Sequence, residues 1–458
     1  MRLLPLVLLL ACTGPEEDLE PIERCGSAQL ADAPPPADTA FGPVAPVDLN
    51  QVSAQVEVRA DGLGVDATAT FLTDDADAIA VLELRPDVEA WLDDAPVELE
   101  RITVGDPARE VVGLGVLDPC SEHTLSVRAT LPVGWMSDEG DAARIESTDD
   151  GVFWAAGLED DTPGHFLSMW MPGNLLFDRF DLALDLEVSA LDAPHELAAT
   201  GTVTDTAVGW RVEWSDIQSH TPFWVVSPTA ITQRRSAVVP LPEGDVTLEV
   251  RSLTTDPGAD PDEALTRGSA ALQHHAGLFG PYGHGDRYVL WIRQDHASSM
   301  EYDGATLTQM GAIEHEMMHS WYARGASPVA DLHGWVDEAI TSWVTDLFPL
   351  REVPLDRSLD PRVLQIGTDE WAGASLSTDT YVYGSSVFAD IASRHGTEAV
   401  VEALRVFYVQ HLHASYRSTD LERHLTCWFD DDEVRTAFRH TGYGLEGPPD
   451  PRPWGWCQ

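Results

Sequence analysis

Ile313-Glu314-His315-Glu316-Met317-Met318-His319 and, after 18 intervening residues, Glu338 in Trp335-Val336-Asp337-Glu338 decide how this chain folds and works. The first stretch contains His-Glu-x-x-His. On a helix, residues four apart lie on one face about one turn apart. His315 and His319 can therefore grip one zinc ion, and Glu316 stands beside the metal, where it can take a proton from water. Leu307, Met310, Ile313, Met317 and Trp321 recur at helical spacing, which predicts a helix over Thr306–Arg324. A second helix is predicted over Trp335–Leu347. Catalytic zinc takes three protein ligands and keeps one position open. Glu338 is the candidate third ligand, so one Zn2+ per chain is expected on His315, His319 and Glu338.

His-Glu-x-x-His, 18 residues and a Glu in Trp-x-x-Glu resemble the aminopeptidase N (membrane alanyl aminopeptidase) family of gluzincin zinc metallopeptidases. The family's usual Trp-Leu-Asn-Glu-Gly stands here as Trp335-Val336-Asp337-Glu338-Ala339. The glycyl aminopeptidase family usually has a longer spacing and ranks second. Ser298-Ser299-Met300-Glu301-Tyr302 resembles the family's Gly-Ala-Met-Glu-Asn strand. The resemblance implies that Glu301 binds the free α-amino group of a substrate, a task for which a carboxylate is suited because it pairs with an ammonium. Tyr381-Val382-Tyr383-Gly384 resembles Tyr-x-Lys-Gly. The role implied for Tyr381 is to hydrogen-bond the oxyanion, and a phenol is a sound donor for it. Tyr383 departs from the family's Lys, Ala339 from its Gly, and two Ser from the small pair before Met300. A second amino-group ligand from the β-rich half is not placed by the sequence; Glu159 is a guess for it.

The resemblance implies a peptidase that removes N-terminal residues from peptides with metal-activated water, Glu316 acting as base. Two rivals remain open: a zinc endopeptidase with the same core, and a non-catalytic surface lipoprotein that keeps a structural zinc. Only 120 residues follow Glu338. The large C-terminal helical domain of the long aminopeptidases is therefore expected to be absent, a short form with a more open cleft.

Charge excludes other partners. The 458 residues carry 77 acids against 27 basic residues, every one an Arg, for a net charge of −50. Nucleic acid needs a basic face, and anionic lipid a polybasic patch; this chain offers neither in its composition. With 43% hydrophobic residues and 15 Trp the chain can bury a sizeable core.

Met1–Ala11 reads MRLLPLVLLLA, too short to span a bilayer and suited to the apolar region of a secretory signal. Its end, Leu9-Leu10-Ala11-Cys12, resembles a bacterial lipoprotein signal. That implies an exported protein held in the cell envelope by lipid on Cys12. Four cysteines remain. Two disulfides are expected, Cys427–Cys457 closing a short C-terminal loop and Cys25–Cys120 tying the linker to the first domain. Asp430-Asp431-Asp432 lacks calcium-loop spacing and reads as a solvated turn. Nothing in the sequence sets an oligomeric state.

The expected class is multidomain α+β. A signal at 1–11 precedes an acidic, Pro-rich linker at 12–45. At 46–245 short strands dominate, clearest in the alternation of Phe180–Val188, which predicts a β-sandwich or saddle-like domain. Gln55–Arg59 and Val65–Leu72 flank an Asp61-Gly62 turn. A thermolysin-like, mostly helical zinc peptidase domain is expected at 246–445. Its strands are Val246–Ser252 and Tyr288–Ile292, and its further helices Asp262–Leu278, Ser385–Arg394, Thr397–His411 and Asp432–His440. A tail occupies 446–458.

Overall fold

The computed structural model describes residues 25, 34–75, 77–85, 87–105, 108–133, 144–148, 151–155, 171–173, 179–219, 221–294, 299–345, 364–365, 371, 380–445, 449, 451–452 and 456–457. The expected signal at 1–11, Cys12 and Glu159 lie outside them. The N-terminal half is built of strands. In its eight-stranded sheet Phe180–Glu187 runs parallel to Asp48–Arg59 and antiparallel to Gly209–Ser219. Phe180, Leu182, Leu184 and Leu186 point into the core while the residues between them reach outward, as their alternation predicts. Asp48–Arg59 and Gly62–Leu72 form the expected hairpin, with Arg59 opposite Gly62. Gly62 has φ +148°, and a Cβ there would meet the Leu131 carbonyl oxygen at 2.0 Å, so only glycine fits.

The linker is shorter than the sequence suggests. Ala37–Thr39 and Gly42–Pro46 are strands of a five-stranded sheet, because Val44 and Ala45 bury their side chains and Gly42–Pro46 pairs with Ile79–Leu82. Trp371 sits in the core of this sheet with Val44, Val81, Ile102, Val104 and Val111, and its indole N–H donates to the Pro35 carbonyl at 2.8 Å.

The second half is less purely helical than expected. It is organised on a five-stranded sheet in the order Thr232–Leu241, Gly244–Leu253, Arg287–Ile292, Ala305–Thr308, Met300–Tyr302. Thr232–Leu241 pairs along its length with Gly244–Leu253. The hairpin runs across the boundary expected at 245, with Val239, Val246, Leu248 and Val250 in the helical core and Leu253 in the core of the β-rich half. Arg287–Ile292 is buried on both faces: Val289 and Trp291 join the core of the β-rich half, while Tyr288, Leu290 and Ile292 join the helical core.

Seven helices are used below: α1 Pro261–Phe279, α2 Ile313–Tyr322, α3 Trp335–Thr345, α4 Ser385–His395, α5 Thr397–Gln410, α6 Ser418–Phe429 and α7 Asp432–Ala437. The helix predicted from Thr306 begins only at Ile313. Ala305–Thr308 is instead a strand that pairs with Val289–Ile292, and Leu307 faces the β-rich core rather than the core that holds Met317. Its helical spacing with Met310 and Ile313 is a coincidence of two cores. α6 has no counterpart among the predicted helices. It carries Cys427, which is bonded to Cys457, and Cys25 is bonded to Cys120, both as expected. Among the described residues no helix is long and apolar enough to cross a membrane.

Candidate metal centre

α2 lies between α1 and α3. Ile313, Met317, Trp321 and Tyr322 anchor it in the helical core. The Arg267 guanidinium of α1 grips Glu314, with Nε 2.8 Å from Oε1. With this contact on one side and its buried face in the core, α2 turns His315 and His319 toward α3. His315 Nε2 stands 3.1 Å from Glu338 Oε2, His319 Nε2 stands 3.6 Å from Oε1, and the two Nε2 atoms are 3.3 Å apart. The three residues predicted as ligands are thus brought together, His319 and Glu338 buried and His315 partly exposed.

α3 does more than present Glu338. Thr341 and Thr345 follow it at three and seven residues, on the same helical face. Thr341 Oγ1 lies 3.4 Å from His319 Nδ1, and Thr345 Oγ1 lies 3.4 Å from His315 Nδ1. The Thr345 hydroxyl donates to the Thr341 carbonyl at 2.7 Å, so toward His315 its oxygen accepts. His315 then carries its proton on Nδ1 and aims the Nε2 lone pair inward. Burial, with help from His315 and Arg324, holds His319 well below the usual imidazole range and so neutral. Two imidazole Nε2 atoms and a carboxylate converge here, an arrangement that a divalent cation would hold together. Two imidazoles and a carboxylate are a donor set that fits zinc. Neither threonine belongs to a recognised motif; the only sequence signal that could have found them is their spacing from Glu338.

Glu316 is buried, and one of its carboxylate oxygens lies within 4.8 Å of ligand-type atoms of both His319 and Glu301. Tyr381 belongs to a π-turn over Thr380–Gly384, and its ring stacks on His315 at 6.1 Å between centroids. The turn fits tightly against α3: a Cβ at Gly384 would come 2.7 Å from the Ala339 Cβ. The methyl that distinguishes Ala339 from glycine is accommodated by glycine on the facing turn.

Glu301 lies on the edge strand Met300–Tyr302, also buried. Its Oε1 is 3.9 Å from His319 Nδ1 and accepts from Arg324 Nη2 at 2.8 Å. Arg324 follows α2, where its backbone N–H donates to the His319 carbonyl at 2.9 Å. No sequence signal pointed to Arg324, because its partner comes from a strand 23 residues upstream. The β-rich half closes this corner. Arg179 donates to the Arg324 carbonyl and stands 3.4 Å from Asp303, whose other oxygen accepts from the Thr221 N–H at 3.2 Å.

Compared by sequence, the chain matches no protein-family model and no curated protein. Compared by fold, it is similar to the M1 zinc metallopeptidase of Deinococcus radiodurans, with a TM-score of 0.62, 17% identity, and 89% of this chain and 96% of that one covered. It is similar to Legionella pneumophila aminopeptidase A, solved with aspartic acid, with a TM-score of 0.64 and 15% identity over 87% of this chain and 50% of that one. Yeast LTA4 hydrolase, solved with bestatin, gives a TM-score of 0.63 and 14% identity over 88% and 69%. At such identities the likeness is one of fold: this chain shares the two-domain M1 peptidase architecture.

Proposed function

We propose that the chain is a zinc-dependent metallopeptidase of the aminopeptidase N type, with a thermolysin-like catalytic domain, acting on peptides. One observation carries this: His315 Nε2, His319 Nε2 and the Glu338 carboxylate converge, with Glu316 adjoining. His315, His319 and Glu338 would hold the metal. Zinc, when bound, lowers the pKa of a water molecule and polarises a carbonyl. Glu316, buried beside His319, would take the proton of the attacking water and deliver it to the leaving amine. Tyr381, whose ring stacks on His315, would donate its hydroxyl proton in a hydrogen bond to the developing oxyanion. Thr341 and Thr345 hold the imidazoles in register, and α3 sets all three groups from one rigid element.

In the aminopeptidase mode Glu301 meets the substrate's N-terminal ammonium. A second mode, the endopeptidase, is favoured by one contact: Arg324 already engages Glu301 Oε1. The Leu9-Leu10-Ala11-Cys12 signal further supports export and lipid anchoring on Cys12 at the cell envelope, which mass spectrometry of the mature N-terminus would test. The test of function is zinc content together with a panel of aminoacyl fluorogenic substrates and an N-blocked, internally quenched peptide. One zinc per chain and cleavage of either class is expected. Zinc without cleavage of any member would instead favour a structural metal.

A further inference from the structure

We infer that Arg324 is a specificity-determining residue that acts through Glu301: it balances the charge of that carboxylate before substrate arrives, so the cleft tolerates peptides whose N-terminus is acylated. This rests on the metallopeptidase proposed above and names its substrate class.

Arg324 is held at three points. Its N–H donates to the His319 carbonyl, its own carbonyl accepts from Arg179, and its Nη2 donates to Glu301 Oε1 at 2.8 Å. The side chain is 1% exposed and Glu301 4%. Two of these contacts pin the backbone, and the buried guanidinium is engaged by Glu301 at Nη2. The pair is fully desolvated, where charge interactions are strongest.

A substrate ammonium is desolvated on entering the cleft and needs a carboxylate in return. An unbalanced Glu301 would supply that and would reject an acylated N-terminus by leaving its own charge buried and unpaired. With Arg324 in place neither holds. The ammonium meets a second cation beside the carboxylate, and the acylated peptide leaves no charge unpaired. Discrimination between free and acylated N-termini is therefore weakened from both directions. Arg324 touches no reacting atom.

The experiment compares kcat/KM for alanyl anilide and N-acetyl-alanyl anilide, which share one scissile bond, using the zinc-loaded full chain. Wild type is expected to show a free-to-acetylated ratio within about tenfold of unity. Arg324→Gln should raise the ratio by on the order of tenfold or more, the effect of removing a like charge near the ammonium. Arg324→Lys, which keeps the charge, should stay near wild type. The double variant Glu301→Gln/Arg324→Gln should fall back, because the gain passes through Glu301; it also leaves no lone buried charge and so guards against misfolding of the single variant. A general loss of structure would lower both activities without moving the ratio. An Arg324→Gln ratio equal to or below wild type overturns the inference, as does a wild type that already prefers the free amine by a thousandfold. If zinc-loaded wild type hydrolyses neither anilide, the metallopeptidase falls. Calorimetric binding of alanine amide against N-acetylalanine amide to the same four proteins then decides the role of Arg324 by the same ratios.

Discussion

Glu338 and Glu301 flank the same imidazole and are equally buried, yet they meet different neighbours. Glu338 meets His315 Nε2 and His319 Nε2 at 3.1 and 3.6 Å; Glu301 lies on the Nδ1 side of His319 and meets a guanidinium at 2.8 Å. Around Glu338 two imidazole Nε2 atoms converge, a set that a dication would suit. Around Glu301 the positive charge is already supplied by the chain. Burial alone does not make a carboxylate a metal ligand or an ammonium receptor; its nearest neighbours decide.

The largest effect that would break this comparison is at Glu338 itself. Glu338→Gln should weaken zinc binding by more than about a hundredfold in a chelator competition, beyond what loss of an outer partner costs. Retention of wild-type affinity would remove Glu338 from the ligand set. Thr345→Val, nearly isosteric, should weaken zinc by about 10- to 100-fold, since it frees His315 Nδ1 to choose the wrong tautomer. An unchanged affinity would mean that packing alone orients the ring.

A third imidazole sharpens the comparison. His275 on α1 is buried against Trp321, with Nε2 3.2 Å from the Glu314 carbonyl, and burial followed by its neighbour His274 lowers its pKa to about 3. Its unfolded value is about 6.5. The unfolded chain therefore binds a proton that the native chain refuses. The contribution of His275 to stability is complete above about pH 6.5 and is lost as pH falls toward 3, by about 1.4 kcal/mol per pH unit at most. His275→Gln should flatten the fall of stability between pH 6.5 and 4 by about one proton in urea titrations; an unchanged slope would place a protonated His275 in the native state. The smallest effect is expected at Glu301. Glu301→Gln should leave zinc affinity within about threefold, because its contact lies on the Nδ1 side of His319; a loss as large as that of Glu338→Gln would make the two carboxylates equivalent.

The candidate metal face could be read from the sequence because it is local. His315 and His319 share one helix, and Glu338, Thr341 and Thr345 share another, so helical periodicity encodes each row of ligands and supports. The alternation of Phe180–Glu187 marked the β-rich half for the same reason. What escaped is set by pairing across distance. Thr306 and Leu307 became strand because Arg287–Ile292 offers them a hydrogen-bonding edge, although Leu307 falls on the helical period of α2. Thr232–Leu241 belongs to the second sheet because its partner follows it by a two-residue turn. Arg324 gained its role from a strand residue that no spacing rule connects to it, and the β-rich half reaches the same corner through Arg179.

The most direct measurement is the turnover of zinc-loaded Glu316→Gln beside wild type, on whichever anilide or quenched peptide wild type cleaves. The variant should keep one zinc per chain and bind substrate within a few-fold, while kcat falls by about 10²- to 10⁴-fold, the share of a positioned proton acceptor. A folded, zinc-loaded variant that turns over as fast as wild type would contradict the assignment of Glu316 and, with it, metal-assisted hydrolysis at this site.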